Sequence, residues 1–127
     1  YALSVLATPA SLRALGKAGR GVVITQVMPF PTDPKSALAR EYQEAMARAG
    51  HTELTHLSFE GYLNAKVMAE GFRRAGRNLT RASFQSAMNS MRGLNMGGLN
   101  LSFGNGAASG SNFVEITMVD SVGKLIK

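Results

Sequence analysis

Residues 21–31 read GVVITQVMPFP, and this stretch decides the fold class. After Gly21 the residues are β-branched or apolar except Gln26, with no charge among them, the signature of a strand buried on both faces, which needs neighbours on each side. Pro29, Pro31 and Pro34 end it in a loop that is stiff because proline fixes φ and lacks an amide donor. Working back, residues 1–8 (YALSVLAT) read as a short buried strand. Pro9 stands where a first helical turn tolerates it, and Leu12, Leu15 and Ala18 make a helical stripe that Gly19 and Gly21 end.

Working forward, residues 35–49 form a helix with Leu38, Tyr42, Ala45, Met46 and Ala49 toward the core and Gly50 as its C-cap. Residues 54–57 form a short strand, and Ser58 caps a helix to residue 75 with Phe59, Tyr62, Leu63, Val67, Met68 and Phe72 as its stripe. Thr80 caps another, with Phe84, Ala87, Met88 and Met91 in register. Gly93, Gly97 and Gly98 mark a break. Residues 99–103 and 113–119 alternate as strands around a Gly-rich turn at 104–111, and a last short strand covers 124–126. Alternating strands and helices predict an α/β sheet, parallel at least in part. The two late strands read as an antiparallel appendage or a crossing between two bodies.

The chain has 127 residues, 45% hydrophobic and 17% charged, which bounds it to one domain or part of a larger one and excludes disorder. It has no cysteine, so disulfides, thiolate zinc sites and a thiol nucleophile are excluded. No apolar run is long enough to span a membrane as a helix. The chain opens at Tyr1 inside an apolar stretch without a leader pattern, as expected of a sequence whose start is missing. Its net charge of +6 invites a polyanion. The one basic cluster, Arg73, Arg74, Arg77 and Arg81, falls at a helix end, where cations complement the dipole, and no aromatics interleave with it for base stacking. Nucleic acid is therefore not the expected partner.

The search for catalytic motifs is barren. Gly104-Asn105-Gly106 lacks the third glycine and the following helix of a dinucleotide turn, Gly16-Lys17 lacks the frame of a phosphate loop, and Ser109 has no strand-to-helix elbow. Glu60, Glu70 and Glu115 have no partner carboxylate at readable spacing. His51 and His56, with Glu53 between them, read as surface histidines in a connector that is not preorganised for metal; His56, directly before the expected helix cap, is also placed to face a cleft. The seven Met residues read as packing.

The run 21–31, the helix containing EYQEAM (41–46), SFEGYLNAKV (58–67), GRNLTR (76–81) and MGGLNLSF (96–103) together resemble, in order and spacing, the late segment of the leucine/isoleucine/valine-binding type of periplasmic receptor. The resemblance implies an α/β, type I periplasmic-binding-protein-like fold: flavodoxin-like lobes of mostly parallel sheet flanked by helices, with pieces of both lobes in this chain. Residues 1–20 are then the tail of the second lobe, 21–96 a first-lobe segment, and 97–127 the last hinge crossing and the return to the second lobe. It implies a non-enzymatic, exported, periplasmic protein that captures an amino acid or similar small carboxylate by hinge closure for the membrane subunits of an ABC permease, with no cofactor and no metal.

The resemblance also implies a ligand-facing apolar or aromatic residue at Leu57 or Phe59. Beyond the carboxyl end of a strand, beside a helix N-terminus, is where open α/β sheets place ligands. Leu57, Ser58 and Phe59 are thus the ligand-site expectation, with Tyr62 one turn on. If the chain stays extended that far, alternation sends Leu57 and Phe59 to the same side. Packing under the helix is the competing reading for both aromatics. The family's strands that hold the ligand carboxylate precede this segment, so the chain reads as a C-terminal portion, with Val22, Val23, Ile24 and Val27 exposed and self-association or strand exchange expected. A ligand-sensing domain of the same fold in a signalling receptor, and less readily a basic nucleic-acid-binding domain, are the alternatives.

Overall fold

The computed structural model describes residues 1–104 and 110–127. The G-x-G at 104–106 and Ser109 therefore fall wholly or partly outside the described residues. The chain divides into two compact units, Tyr1–Glu60 with Phe113–Lys127, and Gly61–Asn112.

The first unit is built on a four-stranded sheet in the order β1 (Ala2–Leu3), β2 (Val23–Gln26), β5 (Glu115–Val119), β6 (Leu125–Ile126). β1 pairs parallel with β2, whereas β2 with β5 and β5 with β6 are antiparallel. The α/β expectation holds, but within this chain the sheet is mixed rather than mostly parallel, because β5 returns along β2 in the opposite sense. β2 has partners on both edges. Ile24 and Gln26 point to one face and are fully buried, and Ile24 packs in a core with Ala7 and Val119 flanked by Leu12 and Leu125. The opposite face is open. Leu3 is 70% exposed and Ile116 is 64% exposed, and Met118 is also exposed. The expected exposure of Val22, Val23 and Ile24 is thus corrected: the first two are half-buried, Ile24 is inaccessible, and only Val27 is exposed.

Strand β1 is shorter than expected. Ser4–Leu6 turn as a 3-10 helix, and the Ala7 amide donates to the Ser4 carbonyl. Thr8 then caps α1 (Pro9–Leu15), accepting from the Ser11 amide, with Pro9 at the first helical position. α1 stops at Gly16, whose φ of 50° breaks the helix before the expected Gly19. α2 (Ala37–Arg48) is capped by Ser36. It ends in a Schellman motif: the Gly50 amide donates to the Ala47 carbonyl and the His51 amide to that of Met46. Gln43 Nε2 and Arg40 Nη1 donate to the carbonyls of Pro31 and Pro34, tying the proline loop to α2.

No strand forms at residues 54–57, because α3 (His56–Ala75) starts there. Thr55 is its cap, not Ser58. The Ser58 amide donates to Thr55 Oγ1 and the Thr55 amide donates to Ser58 Oγ, a reciprocal arrangement that satisfies two helix-end donors. α4 (Arg81–Ser90) uses the same device, with Thr80 and Ser83.

The second unit holds most of α3, then α4 and the hairpin β3 (Leu94–Met96) and β4 (Leu99–Leu101). This hairpin was unforeseen, and it corrects the pairing expected of residues 99–103. Gly97 and Gly98 both have positive φ, as a two-residue type I′ turn demands, and the Gly98 amide donates to Asn95 Oδ1. α3 packs on α4 through Phe72 and Phe84, whose ring centroids are 4.8 Å apart. Gly71 lies under this contact: a Cβ there would come within 2.7 Å of the Phe84 ring and 2.8 Å of Met88 Sδ. In an open helix, Gly→Ala stabilises by about 1 kcal/mol. Here overpacking outweighs that gain, and Gly71→Ala should destabilise the protein by about 1–3 kcal/mol in chemical denaturation.

Candidate functional site

A cleft of about 590 Å³ opens in the first unit, lined by α1, the proline loop, the start of α3 and the β5–β6 turn. Its volume is in the range of small-molecule sites. Leu12, Phe30 and Leu125 give it apolar walls, and Arg13, Lys17 and Lys124 bring cationic side chains to it. Thr55 and His56 reach it from the N-terminal end of α3, where amides and the helix dipole favour negative charge. Such a donor set suits a small molecule with a carboxylate at one end and an apolar group at the other.

His56 is the buried polar residue of this cleft. Phe30 meets its ring edge-on at 5.1 Å between centroids, and its Nε2 has no hydrogen-bond partner among the described residues. His51 is exposed, so the expectation of two surface histidines fails for His56. Desolvation pushes the His56 pKa below its ordinary value; the Glu115 carboxylate opposes this and the Lys127 ammonium adds to it. Lys127 Nζ lies 2.7 Å from Glu115 Oε1 and 3.1 Å from Asp33 Oδ2, joining β5 to the proline loop. Its hydrogen bond to Glu115 raises the Lys127 pKa. The Lys35 amide, then Lys127, lowers that of Asp33. Glu115 Oε2 is buried without a partner.

The four residues expected at a ligand site all lie on α3, but helical rather than extended backbone sends them in different directions. Leu57 is 62% exposed and lines a small pocket of about 30 Å³ with Gln26, Met28 and Val5. Ser58 Oγ lies 2.6 Å from Tyr42 Oη and 2.9 Å from Thr55 Oγ1. Phe59 is fully buried and stacks on Tyr42 at 4.6 Å. Tyr62, in the second unit, is half-buried with Lys66 Nζ 5.9 Å from its ring centroid. Leu57 and Phe59 therefore do not share a side. Arg13 and Lys17 were not foreseen at the cleft: nothing in an exposed helix face of this kind distinguishes a site cation from a solvated one.

The sequence profile of the periplasmic binding protein family matches residues 1–121. The chain belongs to that family, and its fold is a portion of the type I periplasmic-binding-protein fold. Among solved structures, an extracellular ligand-binding receptor from Verminephrobacter eiseniae is similar, with 29% identity and a TM-score of 0.82 over 98% of this chain and 36% of that one. A substrate-binding periplasmic protein from Ralstonia solanacearum has 32% identity and a TM-score of 0.79 over 97% of this chain and 35% of its own. A branched-chain amino acid ABC transporter protein from Thermus thermophilus, solved with bound valine, shares the fold at 18% identity and a TM-score of 0.76, over 93% of this chain and 35% of that one. The chain thus spans about a third of these solved chains. No curated protein matches it.

Two outcomes follow from the buried groups. Because the folded His56 pKa lies below the unfolded value of 6.5, the unfolded chain takes up the proton first as pH falls. Stability should therefore decline from about pH 7.5 toward about pH 5, and His56→Gln should flatten that slope in pH-resolved urea unfolding. Phe59→Ala, which removes a fully buried ring stacked on Tyr42, should lower stability by about 3–5 kcal/mol in the same measurement.

Proposed function

We propose that this chain is the C-terminal portion of an exported, periplasmic solute receptor that captures an amino acid or similar small carboxylate and delivers it to the membrane subunits of an ABC permease. The observation that carries the reading is the match of the periplasmic binding protein family along residues 1–121. The cleft supports it, since its cations and apolar walls suit the two ends of such a ligand. In this reading residues 1–20 end the second lobe, 21–96 form the first-lobe segment, entered through residues 21–28 as the crossing strand, and 97–127 cross back and return to the second. Ligand held by both lobes shifts the population from open to closed, and the segments that link the lobes absorb the rotation.

Of the residues expected to face the ligand, Leu57, Ser58, Phe59 and Tyr62, this reading keeps Leu57, which follows Thr55 and His56 of the cleft along α3, while Phe59 is buried against Tyr42. Leu57 is the member whose side chain is open to solvent. The valine in the Thermus thermophilus structure makes L-valine the first probe and L-leucine the second. Calorimetry on the receptor containing this segment should give saturable binding of one of these, weakened about tenfold or more by Arg13→Ala with Lys17→Ala, the scale of a lost charged hydrogen bond. Absence of binding to either amino acid would overturn a branched-chain amino acid as the ligand, and binding untouched by the double variant would remove the cleft from the site.

A further inference from the structure

The net charge of the chain is unevenly placed. Residues 61–112 carry Lys66, Arg73, Arg74, Arg77, Arg81 and Arg92 against a single acid, Glu70, a formal +5 of the chain's +6. The first unit, with the cleft, is almost neutral. Four of these arginines fall between residues 73 and 81, from the last turn of α3 to the first residue of α4, and all four are exposed.

Glu70 compensates part of this cluster. Its carboxylate accepts from Arg73 Nε at 2.7 Å and from Arg74 Nε at 2.6 Å, and hydrogen bonding to Arg73 and then Arg74 holds its pKa down at about 2. Two guanidiniums on one carboxylate still leave an excess cation. Arg77 and Arg81 make no ion pair among the described residues. Large apolar side chains lie open in the same stretch: Met68, Phe72 and Leu79 are exposed, Leu79 between the two unpaired arginines in sequence.

We propose that the α3–α4 turn, centred on Arg77, Leu79 and Arg81, is a docking surface for an anionic lipid membrane. Clustered basic residues are drawn to the negative potential of a lipid surface. Exposed Leu and Phe beside them suit the boundary between headgroups and acyl chains. An acidic protein loop in water would satisfy the arginines but leave Leu79 and Phe72 without a role. Nucleic acid would call for stacking aromatics interleaved with the cations, and residues 73–81 contain none. For a receptor that delivers solute to a membrane permease, such a surface concentrates the protein where its partner lies. The surface itself uses only residues of the second unit and does not depend on that reading.

Vesicles of phosphatidylcholine with and without about one third phosphatidylglycerol test the proposal by co-sedimentation with the full chain. Binding is expected only with phosphatidylglycerol, and should fall steeply between about 50 and 500 mM salt. Arg77→Gln with Arg81→Gln should reduce partitioning about 30-fold, and Leu79→Ser should reduce it further. Arg20→Gln with Arg48→Gln removes the same charge from exposed positions of the first unit, away from the cleft, and should leave vesicle binding unchanged. Melting curves within a few degrees of the parent chain establish that the variants fold. No binding to anionic vesicles overturns the proposal, as does equal loss from both double variants, which would reflect net charge alone. Binding of a Glu-rich peptide or of duplex DNA as tight as that of the vesicles assigns the patch to another polyanion and also overturns it.

Discussion

The first unit depends on the register of β2 against β5. Ile24 faces Thr117, and Thr117 Oγ1 donates to the Ile24 carbonyl while accepting from Gln26 Nε2 at 3.2 Å. This buried hydroxyl therefore fixes two successive inward residues of β2 at once. A slip of one residue would turn Ile24 and Gln26 to the open face and bring Val23 and Thr25 inward. It would also strand the Gln26 amide without its partner, so the hydrogen bond and the apolar pattern specify the same pairing. From this fixed strand the proline loop leaves at one end, carrying Phe30 and Asp33, and β5 presents Glu115 beside Gln26.

Among the described residues, three buried side-chain atoms have no partner: Gln26 Oε1, His56 Nε2 and Glu115 Oε2. Each such atom weakens a fold that gains little from the group. Gln26 and His56 line one small pocket together, and His56 also reaches the large cleft. Polar atoms left unsatisfied beside cavities differ from those sealed in a core, because a bound molecule can complete their hydrogen bonding. That is the local signature of a region arranged around something besides its own packing.

Legibility in the sequence followed the strength of the local signal. β2 was legible because no charge interrupts residues 22–28, and α2 and α4 because their caps and stripes agree. The site was less so. Leu54, Thr55, His56 and Leu57 read as a strand through their apolar ends and β-branched Thr55, yet the Thr55 and Ser58 hydroxyls reward a helix start, and one shifted boundary rotates Leu57 away from Phe59. The Met96–Leu99 hairpin was missed because two adjacent glycines look the same whether they break structure or close a type I′ turn; only the pairing of Leu94 with Leu101 decides. Long-range polar pairs were invisible for a different reason. Lys127 meets Asp33 across 94 positions, and no local pattern encodes that distance.

Charge is distributed unequally between the two units. A cleft that discriminates solutes gains from a few cations against a near-neutral background, since a strong field would draw any anion. A surface that seeks out an extended charged boundary gains from the reverse. Here the near-neutral unit holds Arg13 and Lys17 beside the apolar walls of Leu12 and Phe30, while the basic unit keeps its arginines on an exposed helix end. Only one acid, Glu70, stands in the basic unit, and it braces Arg73 and Arg74 without cancelling the local excess. In the proposed readings, cations that are sparse and walled by apolar groups favour selectivity, and cations that are clustered and open to water favour long-range attraction.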